Sequence, residues 1–149
     1  MKLYLHILII LNFLFSNLIF SQEETTKFYI TEIRGDISLE MEINNLESNK
    51  GPIYIRILDE NENPVIVGTS PVINYSAEIS FDSISPGKYA IQFFHDENEN
   101  QKMDFNLIGI PKEKFGSSNN VKPVLGPPKF EKMLINLNEN KKIIIIPVN

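Results

Sequence analysis

From residue 37 onward the apolar residues of this chain recur with a period of two. Ile37, Leu39, Met41 and Ile43 share one parity and Ser38, Glu40, Glu42 and Asn44 the other, the pattern of a strand with one buried and one wet face. Ile53, Ile55 and Ile57 alternate in the same way with Tyr54, Arg56 and Leu58, and Ile73, Tyr75, Ala77, Ile79 and Phe81 with Asn74, Ser76, Glu78 and Ser80. Residues 44–52 and 59–64 read as a loop and a turn, and residues 65–67 as a short apolar segment. Ser85-Pro86-Gly87-Lys88 is a turn in which proline presets one dihedral and glycine accepts what a side chain resists. Residues 89–95 continue as an aromatic strand, and the adjacent Phe93 and Phe94 predict burial on both faces.

After a polar stretch, Gly126-Pro127-Pro128 must be extended. Residues 130–137 alternate once more, residues 138–140 turn the chain, and Ile143 to Ile146 form a β-branched run suited to a strand covered on both sides. Lys141, Lys142 and Pro147 flank that run as gatekeepers. A short β-like run carries Phe28, Ile30 and Ile33, and a small helical turn fits within residues 112–118. No segment beyond residue 22 keeps a 3.6-residue apolar period. The expectation is therefore all-β: about seven strands in an antiparallel Greek-key-type β-sandwich, with a barrel of similar strand number as the alternative. The sandwich domain spans residues 37–149, with residues 22–36 as its entry and residues 96–128 as one long loop.

The amino terminus changes the picture of where this domain works. Residues 1–21 combine Lys2, an apolar run from Leu3 to Phe20 and a small residue, Ser21, which reads as a secretory signal peptide. Asn12 and Asn17 break the run and no basic cluster follows, so no membrane span is expected once the signal is removed. The protein is expected to be exported, to the periplasm, the outer surface or the medium. The net charge of −5 lacks the basic footprint that phosphate backbones require, which excludes a nucleic-acid role. With no cysteine in the sequence, disulfides, thiol catalysis and cysteine-ligated zinc are excluded, and the fold must be held by its core.

Candidate chemistry concentrates in the polar stretch after Phe94. Asp96, Asn98, Asn100 and Asp104 stand at relative positions 1, 3, 5 and 9, a spacing that turns oxygen ligands inward onto a hard cation such as calcium. The carbonyl of Lys102 would fill position 7. Gln101 occupies the sixth position, where glycine makes the sharp turn, and Leu107 the twelfth, where a bidentate carboxylate is expected; Glu113 is the next carboxylate a folded-back loop could deliver. Affinity would lie in the weak extracellular range of about 0.1–1 mM. The competing reading is a solvated turn of Asx residues that bond their own backbone. Asp59-Glu60-Asn61-Glu62-Asn63 repeats the first five residues of the loop but has Val67 at the ninth position, and reads as such a turn.

His95-Asp96 with Asn98, Asn100 and Asp104 is followed by Gly109-Ile110-Pro111, Glu113, Gly116, Ser118-Asn119-Asn120 and Gly126-Pro127-Pro128 with Phe130. With Pro86-Gly87-Lys88-Tyr89-Ala90 before it, this set resembles the secreted bacterial domain of unknown function family 2141. The Pro-Gly-x-Tyr hairpin also resembles that of transthyretin-like and carboxypeptidase regulatory-like sandwiches. The resemblance implies an exported β-sandwich with no assigned reaction.

The function expected is a non-enzymatic exported module whose loop binds calcium and presents a surface to a cell-envelope protein, a peptide or a glycan. One alternative is a hydrolase or metal-assisted enzyme using His95 and the loop carboxylates, with Ser117 or Ser118 as nucleophile. The other is a transthyretin-like carrier of a small ligand, which an apolar pocket would favour.

Overall fold

The computed structural model describes residues 27–30, 34–124 and 126–148. The signal peptide expected over residues 1–21 lies outside them, as does Ile33. Nine strands occur among the described residues: β1 (Lys27–Ile30), β2 (Ile37–Ile43), β3 (Ile53–Asp59), β4 (Pro64–Ser70), β5 (Ala77–Ile84), β6 (Gly87–His95), β7 (Phe115–Ser117), β8 (Ile135–Leu137) and β9 (Lys141–Ile145). A 3-10 turn at Ser118–Asn120 and one short helix, α1 (Phe130–Met133), complete the set.

The strands form two sheets. The larger runs β1-β4-β3-β6-β7, with β8 also paired to β6, and every pairing in it is antiparallel. The smaller runs β5-β2-β9; β2 meets β5 antiparallel and β9 parallel. Both sheets feed one apolar core. Leu39, Met41 and Ile43 from β2 and Ile79 and Phe81 from β5 meet Ile53, Ile55 and Ile57 from β3 and Ile91 and Phe93 from β6. The strict alternation on β2 and β3 is what allows this, since one parity of each strand faces the other sheet. A second small cluster, Leu58, Ala90 and Met133, lies under α1. It covers part of the opposite face of β6, so the expectation of a strand buried on both faces holds there.

Four local expectations need correction. The alternation of residues 130–137 is not a continuous strand: residues 130–133 are helical and only residues 135–137 pair. Asn119 Nδ2 donates to the carbonyls of Lys132 at 2.9 Å and Leu134 at 3.0 Å, and Ser118 Oγ donates to the carbonyl of Met133, so side chains hold carbonyls that a sheet would have used. Ile73 and Tyr75 do not share the buried face of β5, because Asn74 (φ 52°) and Tyr75 (φ 61°) turn the chain before Ala77. Residues 115–117, inside the proposed helical turn, are β7 instead. The isoleucine run is not covered on both sides: β9 is an edge strand, and Ile144 and Ile146 are each 53% exposed.

The core makes a test. Leu137→Ala, at a position with no exposure, is expected to cost about 2–5 kcal/mol in urea denaturation. Ile144→Ala on the exposed edge is expected to stay within about 0.5 kcal/mol of the parent. Equal losses at the two positions would mean that the inner faces are assigned wrongly.

Candidate functional site

β6 ends at His95, and the loop leaving it is anchored immediately. Asp96 N donates to Pro52 O at 3.0 Å. Gly51 approaches so closely that a Cβ placed on it would stand 1.8 Å from the Asp96 carbonyl oxygen, and its φ of +69° is itself a conformation suited to glycine. Asp96 is completely buried. Its Oδ1 accepts Asn100 N at 3.1 Å and its Oδ2 accepts Gln101 N at 2.7 Å. Asn98 Oδ1 accepts the same Asn100 N at 3.1 Å, and Asn100 Oδ1 accepts Lys102 N at 3.0 Å. Side-chain oxygens from three alternate residues therefore converge on successive backbone N–H groups, and each oxygen has a second lone-pair site beyond the one so used.

Two more carboxylates close the loop. Asp104 Oδ2 accepts Asn98 Nδ2 at 2.7 Å and Asn100 Nδ2 at 2.8 Å. Glu113 folds back so that its Oε2 accepts Asp104 N at 3.2 Å. Asp96, Asn98, Asn100, Asp104 and Glu113 are thus brought together, and Lys102 is tied to them through its N–H. Gln101 adopts φ 65°, the left-handed turn foreseen for the sixth position, at a cost of roughly 1–2 kcal/mol for a residue with a Cβ.

The shorter copy at residues 59–63 shows how much of this is turn chemistry. Asp59 Oδ1 accepts Asn61 N at 2.9 Å and Asn63 N at 2.8 Å, and Glu62 takes φ 65° just as Glu99, the equivalent residue, takes φ 58°. Both segments are built on an Asx turn. Only the second continues into Asp104 and Glu113.

Glu113 is the electrostatic centre of the difference. It is 6% exposed, and its Oε1 is buried without a hydrogen-bond partner. Burial pushes its carboxyl above the ordinary range, the N–H of Asp104 works against that, and the negative charges of Asp96, Asp104 and Glu97 push it further up. No group of three or more His, Cys, Asp or Glu side chains among the described residues is placed to hold a metal ion. A cation at this loop must therefore draw on amide and main-chain oxygens as well.

His95 is also fully buried. Its Nε2 lies 2.8 Å from Lys50 O, while Nδ1 lacks a hydrogen-bond partner and stands 3.8 Å from Glu97 Oε1. Ser118 Oγ accepts Ile91 N at 3.0 Å in addition to its bond with Met133 O.

Beyond the carboxylates the loop crosses the outer face of the larger sheet. Asn106 and Ile110 close a small hairpin through Asn106 N to Ile110 O at 2.9 Å, and Phe105 pairs with Pro111. Beneath it lies a cavity of about 1080 Å³, with Tyr54, Arg56, Gln92 and Phe94 on the sheet side and Met103 and Phe105 on the loop side. A period of two gives no sign of this cavity, because it says which parity faces outward and not what covers it. The available signal is the bulk of Tyr54 on the outward parity of β3, opposite Phe94, whose burial the adjacent Phe93 and Phe94 already predict.

Two mainly antiparallel sheets around one core, with few helices and a long polar loop leaving β6, define a β-rich domain. Residues 41–145 match the family described as an uncharacterized protein conserved in bacteria (DUF2141), and the chain belongs to that family. No curated protein and no solved structure matches it.

The buried carboxyl predicts a pH dependence. Its raised folded-state pKa means that the folded chain binds the extra proton between the ordinary value of 4.5 and the raised one, so stability falls as pH rises through that window. Glu113→Gln removes the charge while supplying N–H donors for the surrounding carboxylates. In calcium-free buffer at pH 7 it is expected to be more stable than the parent by about 1 kcal/mol, and the advantage should vanish below pH 4.5. A variant that is less stable at pH 7 would show that the carboxylate is already satisfied.

Proposed function

We propose that this protein is an exported, non-enzymatic β-sandwich module whose loop over residues 96–120 takes up calcium and so fixes a recognition surface. The observation that carries the reading is Glu113. A carboxylate buried with one oxygen unpartnered, among three other negative charges, is a costly arrangement for the ion-free fold, and a hard cation would turn that cost into binding. Asp96, Asn98, Asn100, Asp104 and Glu113 supply the oxygen chemistry such an ion prefers. Because they converge only in the folded chain, the ion would stabilise the folded state. Export rests on the apolar residues 3–20 and the small residue after them.

The surface so fixed would face a cell-envelope protein, a peptide or a glycan. Its partner-facing candidates are the exposed Phe105, Leu107 and Ile108 on the loop. Long loops on rigid sheets commonly carry recognition. For the enzymatic alternative, His95 would have to act from a fully buried position with Nε2 engaged by the Lys50 carbonyl, and Ser118 with its hydroxyl engaged on both sides. These engagements favour the non-enzymatic reading.

A thermal melt in EDTA and across a calcium titration tests the proposal. Calcium at several millimolar is expected to raise the melting temperature of the parent, and Asp104→Ala and Glu113→Gln are expected to abolish the rise. At 100 times the Kd the gain would be about 2.7 kcal/mol. A parent melt unchanged up to 10 times the weakest extracellular Kd, about 10 mM, would reduce the loop to an Asx scaffold.

A further inference from the structure

The cavity under the loop has an ordered floor. Strand register sets Tyr54 opposite Phe94 and Phe94 opposite Phe115, and two residues along it sets Arg56 opposite Gln92 and Gln92 opposite Ser117. Since residues two apart share a face, the outer surface of β3, β6 and β7 carries an aromatic row beside a row of hydrogen-bond donors. The Tyr54 and Phe94 rings are stacked, 5.1 Å between centroids and 11° from parallel. Burial and the negative charge of Asp96 push the Tyr54 phenol up, which keeps that ring neutral.

The donor row is incompletely used. Arg56 Nε donates to Gln92 Oε1 at 2.7 Å, which leaves the fork of its two terminal nitrogens. Among the described residues, Gln92 Nε2 has only the Met133 thioether, 3.4 Å away and a weak acceptor. Ser117 is 4% exposed, and its Oγ has no hydrogen-bond partner. Arg56 is also the only charged side chain among the described residues lining the cavity, in a chain of net charge −5. Arg56 is exposed and stands at the open edge of the cavity, and a cation at the mouth of an apolar pocket with no carboxylate among its described lining residues favours an anion there.

From these rows we infer that the cavity is a binding site for an aromatic carboxylate, with its flat body on Tyr54, Phe94 and Phe115 and its carboxylate on the Arg56 fork. Gln92 turns its amide from the thioether to the same carboxylate, and Ser117 ends the donor row. Phe105 and Ile110 from the loop cover the outer side of the ligand. The volume is slightly above the usual range for small-molecule sites, so a polycyclic body fits. The floor belongs to the strands, and the inference goes beyond the calcium reading without resting on it.

The test uses 1-pyrenebutyrate, whose fluorescence reports transfer from water to an apolar site, with the neutral 1-pyrenebutanol as control. Titrations of the purified protein are run in EDTA and repeated in calcium, so that failure of ion binding and failure of ligand binding are read separately. The acid is expected to bind saturably and roughly tenfold more tightly than the alcohol, the scale of one charge-assisted pair. Arg56→Gln is expected to remove that difference, and Phe105→Ala to weaken both probes severalfold. Dodecanoate should displace the acid only weakly. Equal binding of acid and alcohol, absence of saturable binding, or displacement by dodecanoate as effective as by the acid itself would each overturn the assignment. The acid and alcohol comparison on the parent decides the point even if Arg56→Gln fails to fold.

Discussion

The whole molecule depends on the double use of β6. Its backbone pairs with β3 along one edge over Tyr89 to His95 and along the other with β8 over Gly87 to Tyr89 and with β7 over Gln92 to Phe94, so both edges of the strand are engaged. Its inward side chains, Tyr89, Ile91 and Phe93, enter the core shared with the smaller sheet. The outward ones, Ala90, Gln92 and Phe94, support α1 and the floor of the cavity. Its last residue delivers Asp96 to the buried start of the loop. A strand pinned in this way cannot slip by one residue without exchanging core for cavity floor.

That rigidity lets the loop hold an arrangement that is unfavourable by itself. Asp96 is fully buried yet well supplied with N–H donors, which is the usual condition for burying a carboxylate. Glu113 breaks that condition at one oxygen. Departures of this kind are tolerated where the surrounding structure fixes them, and here the fixing comes from Gly51 against Asp96, from the Asp104 N–H donated to Glu113 Oε2 and from the main-chain bond of Lys112 N to Asp104 O. The Asp59 turn, which has the same opening residues and no second pair of carboxylates, closes on the hydrogen bonds of Asp59 with Asn61 and Asn63 alone.

Loop and cavity are physically continuous. The chain from Asp104 to Pro111 carries both the carboxylate that closes the polar cluster and the apolar residues that roof the groove, and Lys112 N donates to Asp104 O at 2.9 Å to bind the two ends together. Asp96 also acts on both sides, accepting the turn N–H groups and acting electrostatically on Tyr54. Ordering of the turn would therefore reach the roof through a few covalent bonds rather than through a long pathway.

Period-two patterning by itself determined the strands of the core, because burial of one parity is a local consequence of pleating: Ile37 to Ile43 and Ile53 to Ile57 lie where alternation puts them. Local turn residues likewise determined the sharp turns between Asp59 and Pro64 and at residues 85–86 and the spacing that gathers Asp96, Asn98, Asn100 and Asp104, since Asx residues act within a few positions of themselves. What it left open depends on contacts distant in the chain. The parallel partnership of β2 with β9, the helical turn at residues 130–133 and the exposure of Ile144 follow from which strand becomes an edge and from bonds made by Ser118 and Asn119. The return of Glu113 to Asp104, and the registration of Tyr54, Phe94 and Phe115 beside Arg56, Gln92 and Ser117, exist only once three strands and a loop are assembled. A period reveals which side a residue faces, whereas tertiary structure alone decides what covers that side.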